Sequence, residues 1–197
     1  MIFTAPLNKT PKEITPELVK NLWKYMSNMY GSKIISKKDS SFMNVIGWAL
    51  GVMGIQDKDK FMSRYTTTIG NTIYVPFEIG VEGEFHSLYS QIVICVHEHQ
   101  HIQQSKVMGS MNYNVSYLLN KDERTRLEAE AYRSSLELSW YYFKNIPNTR
   151  MVAETLLNYG LNNSHVNTCQ AALDSASRSV KAGLVLNQAT RVGLSVL

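Results

Sequence analysis

The feature that most constrains this chain is residues 91–104, where an apolar run leads directly into a cluster of histidines. Residues 92–96 are uninterrupted apolar sequence, and His-Glu-x-x-His follows as His97, Glu98 and His101. Such a run predicts a helix that is buried against the core. Residues four apart on an α-helix lie roughly 40° from each other around its axis. His97 and His101 can therefore direct two imidazole nitrogens at one metal ion.

Glu98 lies about 100° from His97 on this helix, at the border of the face that the two histidines share. A carboxylate there is close enough to reach a water on the metal but is awkwardly placed for ligation. Two neutral nitrogen ligands suit Zn²⁺, and the adjacent carboxylate can accept a proton from the water. The alternative is a buried helix whose histidines only hydrogen-bond to neighbours. Three histidines on one core helix are, however, costly to satisfy without a metal.

Two other residues of the same helix are predicted to face away from the metal. Cys95 and His99 each lie about 200° from His97 around the axis. We expect His99 to be a packed, hydrogen-bonded histidine and not a ligand. Cys169 is the one other cysteine of the chain. Both cysteines are expected to be reduced structural thiols, and a single disulfide is the alternative.

Length and charge narrow the class of protein. With 197 residues, the chain fits one domain with a sizeable core. The net charge is +4, but the basic residues are scattered, which does not favour nucleic-acid binding. The densest basic group, Lys33, Lys37 and Lys38, is expected in a solvated loop. No charged region followed by a long apolar one opens the chain, so we expect no signal peptide and a location in the cytoplasm or within a larger assembly.

Apolar residues at helical spacing predict a mostly α-helical α+β fold, with a single domain that covers residues 1–197. Helix ends are marked by capping residues and glycines, as at Thr15-Pro16-Glu17 and at Gly31. The predicted helices cover residues 15–31, 39–53, 85–109, 121–144, 149–159 and 163–182, with a short amphipathic piece at residues 113–119.

The β element is predicted from two β-rich runs, residues 64–69 and 72–77, that flank Gly70-Asn71 as in a hairpin. Pro76 places the second strand at an edge of the sheet or ends it there, because proline cannot donate a ladder hydrogen bond.

Three segments are candidates for binding a protein partner. They are the N-terminal arm (residues 1–14), the apolar segment from Phe42 to Met53, and the weakly patterned C-terminal tail (residues 184–197). The apolar segment is too short for a membrane span, which needs about 20 residues. Its Gly-x-x-x-Gly spacing favours a buried, closely packed helix, and the alternative is an interfacial or partner-docking helix.

A hydrolytic zinc site usually has three protein ligands and an open fourth position. Because Glu98 is reserved for the water, a further ligand must come from elsewhere. A run that begins at Glu128 reads Glu-Ala-Glu-Ala on a downstream predicted helix. Together with His-Glu-x-x-His it resembles the gluzincin group of zinc peptidases, which pair these two motifs. The resemblance implies a zincin-like domain with residues 64–144 as its metal-site core, and Zn²⁺ held by His97, His101 and Glu128.

The alternative third ligand is Glu130, which lies about 200° from Glu128 and should face away. Two departures from the zinc-peptidase patterns stand out. Tyr132 occupies the position where many gluzincins carry an aspartate that supports a histidine ligand. Gln104 and Val107 replace the glycine and third histidine of the metzincin extension.

The resemblance also implies a donor that stabilises the oxyanion of the tetrahedral intermediate, often a tyrosine or histidine. Tyr132, one turn after Glu128, is the first candidate. Other side chains that have the right chemistry are His86, Tyr113, Tyr117, Arg133 and His165. A further implication is that the strand at residues 72–77 is the edge along which an extended peptide pairs.

The function that these residues favour is a zinc-dependent peptide hydrolase, with Glu98 as the base that activates water and a peptide or protein as substrate. A structural or assembly protein on a zincin fold, with a metal site and little or no catalysis, is the alternative from another class, since fold does not settle function. Small zincin-like proteins of this compact kind occur in bacteria and their viruses, so the structural alternative is kept. A metal-dependent hydrolase with a non-peptide substrate is a third option.

Overall fold

The computed structural model describes residues 10–41, 43 and 58–197, and the element numbers below count these residues only. This part of the chain is mostly helical with one three-stranded sheet, which confirms the mostly α-helical α+β class. The helices are α1 (Pro16–Tyr30), α2 (Lys58–Arg64), α3 (Leu88–Met108), α4 (Ser110–Leu119), α5 (Lys121–Phe143), α6 (Thr149–Glu154), α7 (Asn163–Lys181) and α8 (Gln188–Gly193). The strands are β1 (Lys33–Ser36), β2 (Thr67–Ile69) and β3 (Thr72–Val75), and short 3₁₀ turns cover Lys37–Asp39 and Thr155–Tyr159.

Helix α3, which carries the histidines, begins and ends as its sequence predicts. Ser87 caps it by accepting a hydrogen bond from the Ser90 amide, and Gly109 ends it. Ile92 and Val96 on one face pack into a hydrophobic core that is shared with α1, β3 and α8. The opposite face contacts α5, so α3 lies at the centre of the described fold.

Helix α5, which carries Glu128, is anchored at both ends and along its length. Asn120 caps its start by accepting from the Glu123 amide, and Lys144 ends it in the left-handed region at φ +51°. Its other face packs against α6 and α7 in a second hydrophobic cluster. The first cluster contains Leu138 and Tyr141 of α5 beside Ile92 and Val96 of α3, so it holds these two helices together and positions the candidate ligands.

The sheet has the order β1-β3-β2. Strands β2 and β3 form the predicted antiparallel hairpin, and Gly70 at φ +58° allows its tight turn. Strand β1, which was not predicted, pairs in parallel with β3. The expectation for the edge is therefore wrong: β3 ends at Val75 before Pro76, as predicted, but it is the central strand. Because both sides of β3 are already paired, an extended peptide cannot pair along it.

The expectation that Lys33, Lys37 and Lys38 occupy a solvated loop is also wrong for Lys37. Its side chain is fully buried, and its Nζ donates to the Phe61 carbonyl over 3.0 Å and lies 3.7 Å from the centre of the Phe61 ring. Burial lowers the pKa of Lys37 to about 7. A strand and a turn that fold against the core remove this amine from water.

Several other expectations have mixed outcomes. Cys95 and Cys169 are both free and buried, as predicted. The tail contains α8, which its weak pattern did not predict. The N-terminal arm before residue 10, and the segment from Phe42 to Met53 apart from Met43, lie outside the described residues. Among the described helices, none has the length and apolar character that crossing a bilayer requires.

Candidate metal centre

Three side chains from α3 and α5 converge at one point. The Nε2 atoms of His97 and His101 lie 3.1 Å apart. The carboxylate oxygens of Glu128 lie 3.5 Å from each: Oε2 from His97 Nε2, and Oε1 from His101 Nε2. All three residues are buried, and Glu128 is only 1 % exposed. The structure therefore brings together the His-His-Glu group that the two motifs predict.

The separations fit ligands of a single ion. Zinc binds imidazole nitrogen and carboxylate oxygen at about 2.0–2.2 Å with tetrahedral angles, which places neighbouring ligand atoms roughly 3.3–3.5 Å apart. Within the described ranges, no fourth histidine, cysteine, aspartate or glutamate joins the group. This donor set can hold a metal ion and leaves one tetrahedral position without a protein ligand.

A hydrogen bond at the far side of the His101 ring assigns the position of its proton. His101 Nδ1 lies 2.9 Å from Gln104 Oε1. Because a carbonyl oxygen only accepts, the ring proton of a neutral His101 is assigned to Nδ1. His101 Nε2 then presents its lone pair to His97 Nε2 and to the Glu128 carboxylate. This lone pair and the carboxylate need a metal ion or a proton between them.

The carboxylate of Glu128 is also held from outside the group. The hydroxyl of Tyr117 on α4 donates a short hydrogen bond to Oε1, while Oε2 has no hydrogen-bond partner within the described part of the chain. Burial would raise the pKa of Glu128, but His101 and His97 in their protonated forms and the Tyr117 hydroxyl outweigh it and lower the pKa to about 2. Glu128 is therefore ionised at neutral pH, as a ligand must be.

The pKa of His97 is likewise set by burial and by neighbouring groups that act in opposite directions. Burial is the largest single effect and lowers the pKa, but the hydrogen bond and charge of Glu128, the charge of Glu98 and the Ala131 backbone together raise it by more. In the metal-free protein, a proton on His97 can therefore lie between the two rings and the carboxylate. A metal ion competes with this proton for the same lone pair.

Glu130, the alternative third ligand, is turned away from the histidine pair, as predicted. Its carboxylate accepts from Gln100 Nε2 over 2.9 Å and from Gln104 Nε2 over 3.2 Å. It also lies 3.8 Å from the exposed guanidinium of Arg126. The described contacts therefore favour Glu128 over Glu130 as the third ligand.

Glu98, the candidate base, connects α3 to the sheet. Its Oε2 accepts a hydrogen bond of 2.6 Å from the hydroxyl of Thr68 on β2, and the residue is 8 % exposed. Its negative charge contributes to the raised pKa of His97, the preceding residue, which lies on the ligand face. The candidate base therefore lies beside an outer strand of the sheet and close to the ligand group.

Three tyrosines lie beside the group. The Tyr132 ring packs on His97 with centres 4.9 Å apart, and its hydroxyl bonds Thr155 and Tyr159. Tyr113 and Tyr117 stack on each other and lie near the His101 ring, at 6.4 and 6.0 Å. Two of the candidate oxyanion donors, Tyr113 and Tyr117, are thus placed beside the ligands together with Tyr132.

The remaining candidate donors are engaged elsewhere. His86 lies 3.3 Å from the Ser63 carbonyl, Arg133 donates to Glu137 and Ser179, and His165 forms a capping box with Asn162 at the start of α7.

His99 is fully buried on the opposite face of α3, as predicted, with Nδ1 2.7 Å from the Cys95 carbonyl and Nε2 2.9 Å from the Ser32 hydroxyl.

Sequence reasoning did not identify the residues that support the ligands. Thr68 and Tyr159 carried no signal, and Tyr117 was only one of several candidate donors. The one available sign was that Gln104 follows His101 by three residues, which places it on the same helix face. Comparison with protein-family models, with curated proteins and with solved structures gave no match.

Proposed function

We propose that His97, His101 and Glu128 bind one Zn²⁺ and that the chain is a zinc-dependent peptide hydrolase of the gluzincin, zincin-like type. The observation that carries the proposal is a ligand group of two imidazoles and one carboxylate with no fourth protein ligand among the described residues. This is the ligand set of hydrolytic zinc sites, whereas structural zinc sites normally have four protein ligands.

Zinc, when bound, supplies Lewis acidity, which makes water a competent nucleophile near neutral pH and polarises a carbonyl. The chain itself supplies the proton transfers. Glu98 accepts the proton of the attacking water and passes it to the leaving amine. The Thr68 hydroxyl holds the Glu98 carboxylate in one orientation, and Tyr117 holds Glu128.

A peptide substrate is supported by the position of β2. Among the described strands it pairs only with β3, and an extended chain could add to its other edge. It also packs against α3 and carries Thr68, whose hydroxyl contacts Glu98. A peptide that adds to β2 therefore lies next to the candidate base, which the central strand β3 cannot achieve.

A second function is favoured by the burial of the ligands. His97, His101 and Glu128 are 8 %, 5 % and 1 % exposed, and aromatic rings cover them. Such burial suits a metal that stabilises a structural or assembly protein with little or no catalysis. The two functions predict the same metal and differ in hydrolysis.

The test begins with metal content. The purified protein is expected to bind about one zinc per chain, and His101→Ala should remove the metal and lower the melting temperature. A native protein that takes up no zinc would contradict both functions.

The second step separates the two functions with Glu98→Gln, compared with wild type at matched zinc content on a mixed peptide library. The amide keeps the shape but cannot accept a proton, so hydrolysis should fall about 10²–10⁴-fold with fold and metal retained. Zinc-loaded wild type that cleaves nothing would favour the structural role. Equal cleavage by Glu98→Gln would show that another group is the base.

A further inference from the structure

The side chain of Gln104 joins a candidate metal ligand to the helix that carries another one. Gln104 lies one turn after His101 on α3 and is 4 % exposed. Its Oε1 lies 2.9 Å from His101 Nδ1, and its Nε2 donates to the Leu127 carbonyl on α5 over 2.9 Å. The amide thus spans the interface between the two helices directly behind the ligand group.

The orientation of this amide follows from its neighbours. On the nitrogen side it faces two acceptors, the Leu127 carbonyl and, at 3.2 Å, the Glu130 carboxylate. A flipped amide would direct its oxygen at the oxygens of both, so that acceptors would face each other with no proton between them. Gln104 Oε1 must therefore face His101, and only a protonated Nδ1 can complete that hydrogen bond.

We propose that Gln104 is the positioning residue of the site: it holds His101 with its proton on Nδ1, so that the Nε2 lone pair faces the metal position. The expected effect on metal affinity rests on the proposed metal site, but the contact between Gln104 and His101 can be measured without metal. Partners behind a ligand histidine usually fix its tautomer and orientation, and their loss costs about 10–100-fold in metal affinity.

Glu130 has a defined part in this arrangement. Although it is not among the three converging ligands, its carboxylate accepts from the amide of Gln104 and so helps to fix which way the amide points. The Leu127 carbonyl is the nearer acceptor of the two. Loss of Glu130 alone should therefore weaken the positioning without abolishing it.

The chain offers a matched control one turn earlier on the same helix. Gln100 is also a buried glutamine, with its Nε2 2.9 Å from Glu130 and its Oε1 accepting from the Ala189 amide on α8 over 3.1 Å. It makes the same kinds of hydrogen bond, but among the described residues it is not hydrogen-bonded to His97, His101 or Glu128. Gln100→Met and Gln104→Met therefore remove comparable structural contacts, and only the second removes the partner of His101.

The experiment measures zinc affinity by chelator competition for wild type, Gln104→Met, Gln100→Met and the double variant Gln104→Glu/Glu130→Gln. The double variant exchanges amide and acid, so that residue 104 still offers an oxygen to His101 and residue 130 offers an N–H. A buried acid at residue 104 that keeps its proton can also donate to the Leu127 carbonyl. Gln104→Met should bind zinc about 10–100-fold more weakly, Gln100→Met within about threefold of wild type, and the double variant much more tightly than Gln104→Met. Equal affinity of the two methionine variants would overturn the proposal.

A second measurement separates this proposal from the metal site. The ¹⁵N shifts of His101 in the metal-free wild-type protein should report a proton on Nδ1 and none on Nε2, and a proton on Nε2 alone would refute the role of Gln104. If the wild type shows the Nδ1 proton but takes up no zinc, the proposed metal site is wrong while the contact stands. If Gln104→Met does not fold, the wild-type spectrum and the zinc affinity of the double variant still test whether Gln104 positions His101.

Discussion

The Thr68 hydroxyl donates to Glu98 Oε2 over 2.6 Å and thereby ties the candidate base on α3 to the outer strand β2. Thr68→Val keeps the shape of the side chain but removes this donor. We expect a loss of about 1–3 kcal/mol in the free energy of unfolding, because a buried carboxylate loses a hydrogen bond, and slower peptide cleavage at unchanged zinc content. Thr67→Val is the matched control, since neighbouring strand residues point to opposite faces. The measurements are urea unfolding and cleavage rate, and equal effects of the two variants would contradict the role of Thr68.

Glu128→Ala should weaken zinc binding far more than Glu130→Ala. Glu128 lies 3.5 Å from both histidine nitrogens, whereas Glu130 contacts two glutamine amides. We expect a loss of more than about 100-fold for Glu128→Ala and of less than about 10-fold for Glu130→Ala. Chelator competition measures both affinities. A larger effect at Glu130 would mean that α5 is rotated differently about its axis.

Tyr117→Phe removes the hydroxyl that bonds Glu128 Oε1. Zinc affinity should fall about 10-fold, because the carboxylate loses the donor that orients it. Tyr113→Phe serves as the control: Tyr113 stacks on Tyr117 with ring centres 5.7 Å apart, while the hydrogen bond to Glu128 comes from Tyr117. The same chelator assay applies, and unchanged affinity in Tyr117→Phe would exclude Tyr117 as a support of the ligand.

The pH dependence of stability should carry the signature of His99. Burial lowers the pKa of His99 to about 4, against 6.5 in the unfolded chain. Between these pH values the unfolded state binds a proton that the folded state does not. The free energy of unfolding therefore falls as pH falls from 6.5 to 4, and His99 causes no further change below pH 4. The loss is roughly 3 kcal/mol, of which most should appear by pH 5.

Metal-free wild type and His99→Gln should therefore differ in how their urea midpoints change between pH 7 and pH 5, with the larger fall in wild type. Comparing the two chains isolates His99, because the other titrating groups are common to both. Parallel pH profiles would show that His99 is protonated in the folded protein at pH 5 or that its burial is incomplete.

Much of the fold could be predicted because its signals are local. The cap of α1 at Thr15, whose hydroxyl accepts from the Leu18 amide, is encoded in adjacent residues. The same holds for the start and end of α3 and for the hairpin turn at Gly70. Strand β1 could not be predicted, because its stability comes from pairing with β3 and not from its own short sequence.

For the site, the candidate ligands could be predicted from the sequence, and most contacts of the residues that support them could not. His97 and His101 are related by helical spacing, and Glu128 by a motif on a second helix, so their convergence was expected. The contacts that Gln104 makes with α5 and that Thr68 makes with Glu98 depend on how α3 meets α5 and β2, which no spacing within one element reports. The edge assigned to β3 was wrong for the same reason, since strand order is a property of the assembled sheet.

Helix α3 carries two of the three candidate ligands on one face and core residues such as Ile92 and Val96 on the other. A metal that binds only the folded chain adds its binding energy to folding, about 4 kcal/mol when free metal exceeds the dissociation constant a thousandfold. For a helix in this position, that energy acts on the whole core and not on a peripheral loop. The resistance of this protein to proteolysis, and hence its lifetime in a cell, should therefore rise and fall with the supply of zinc.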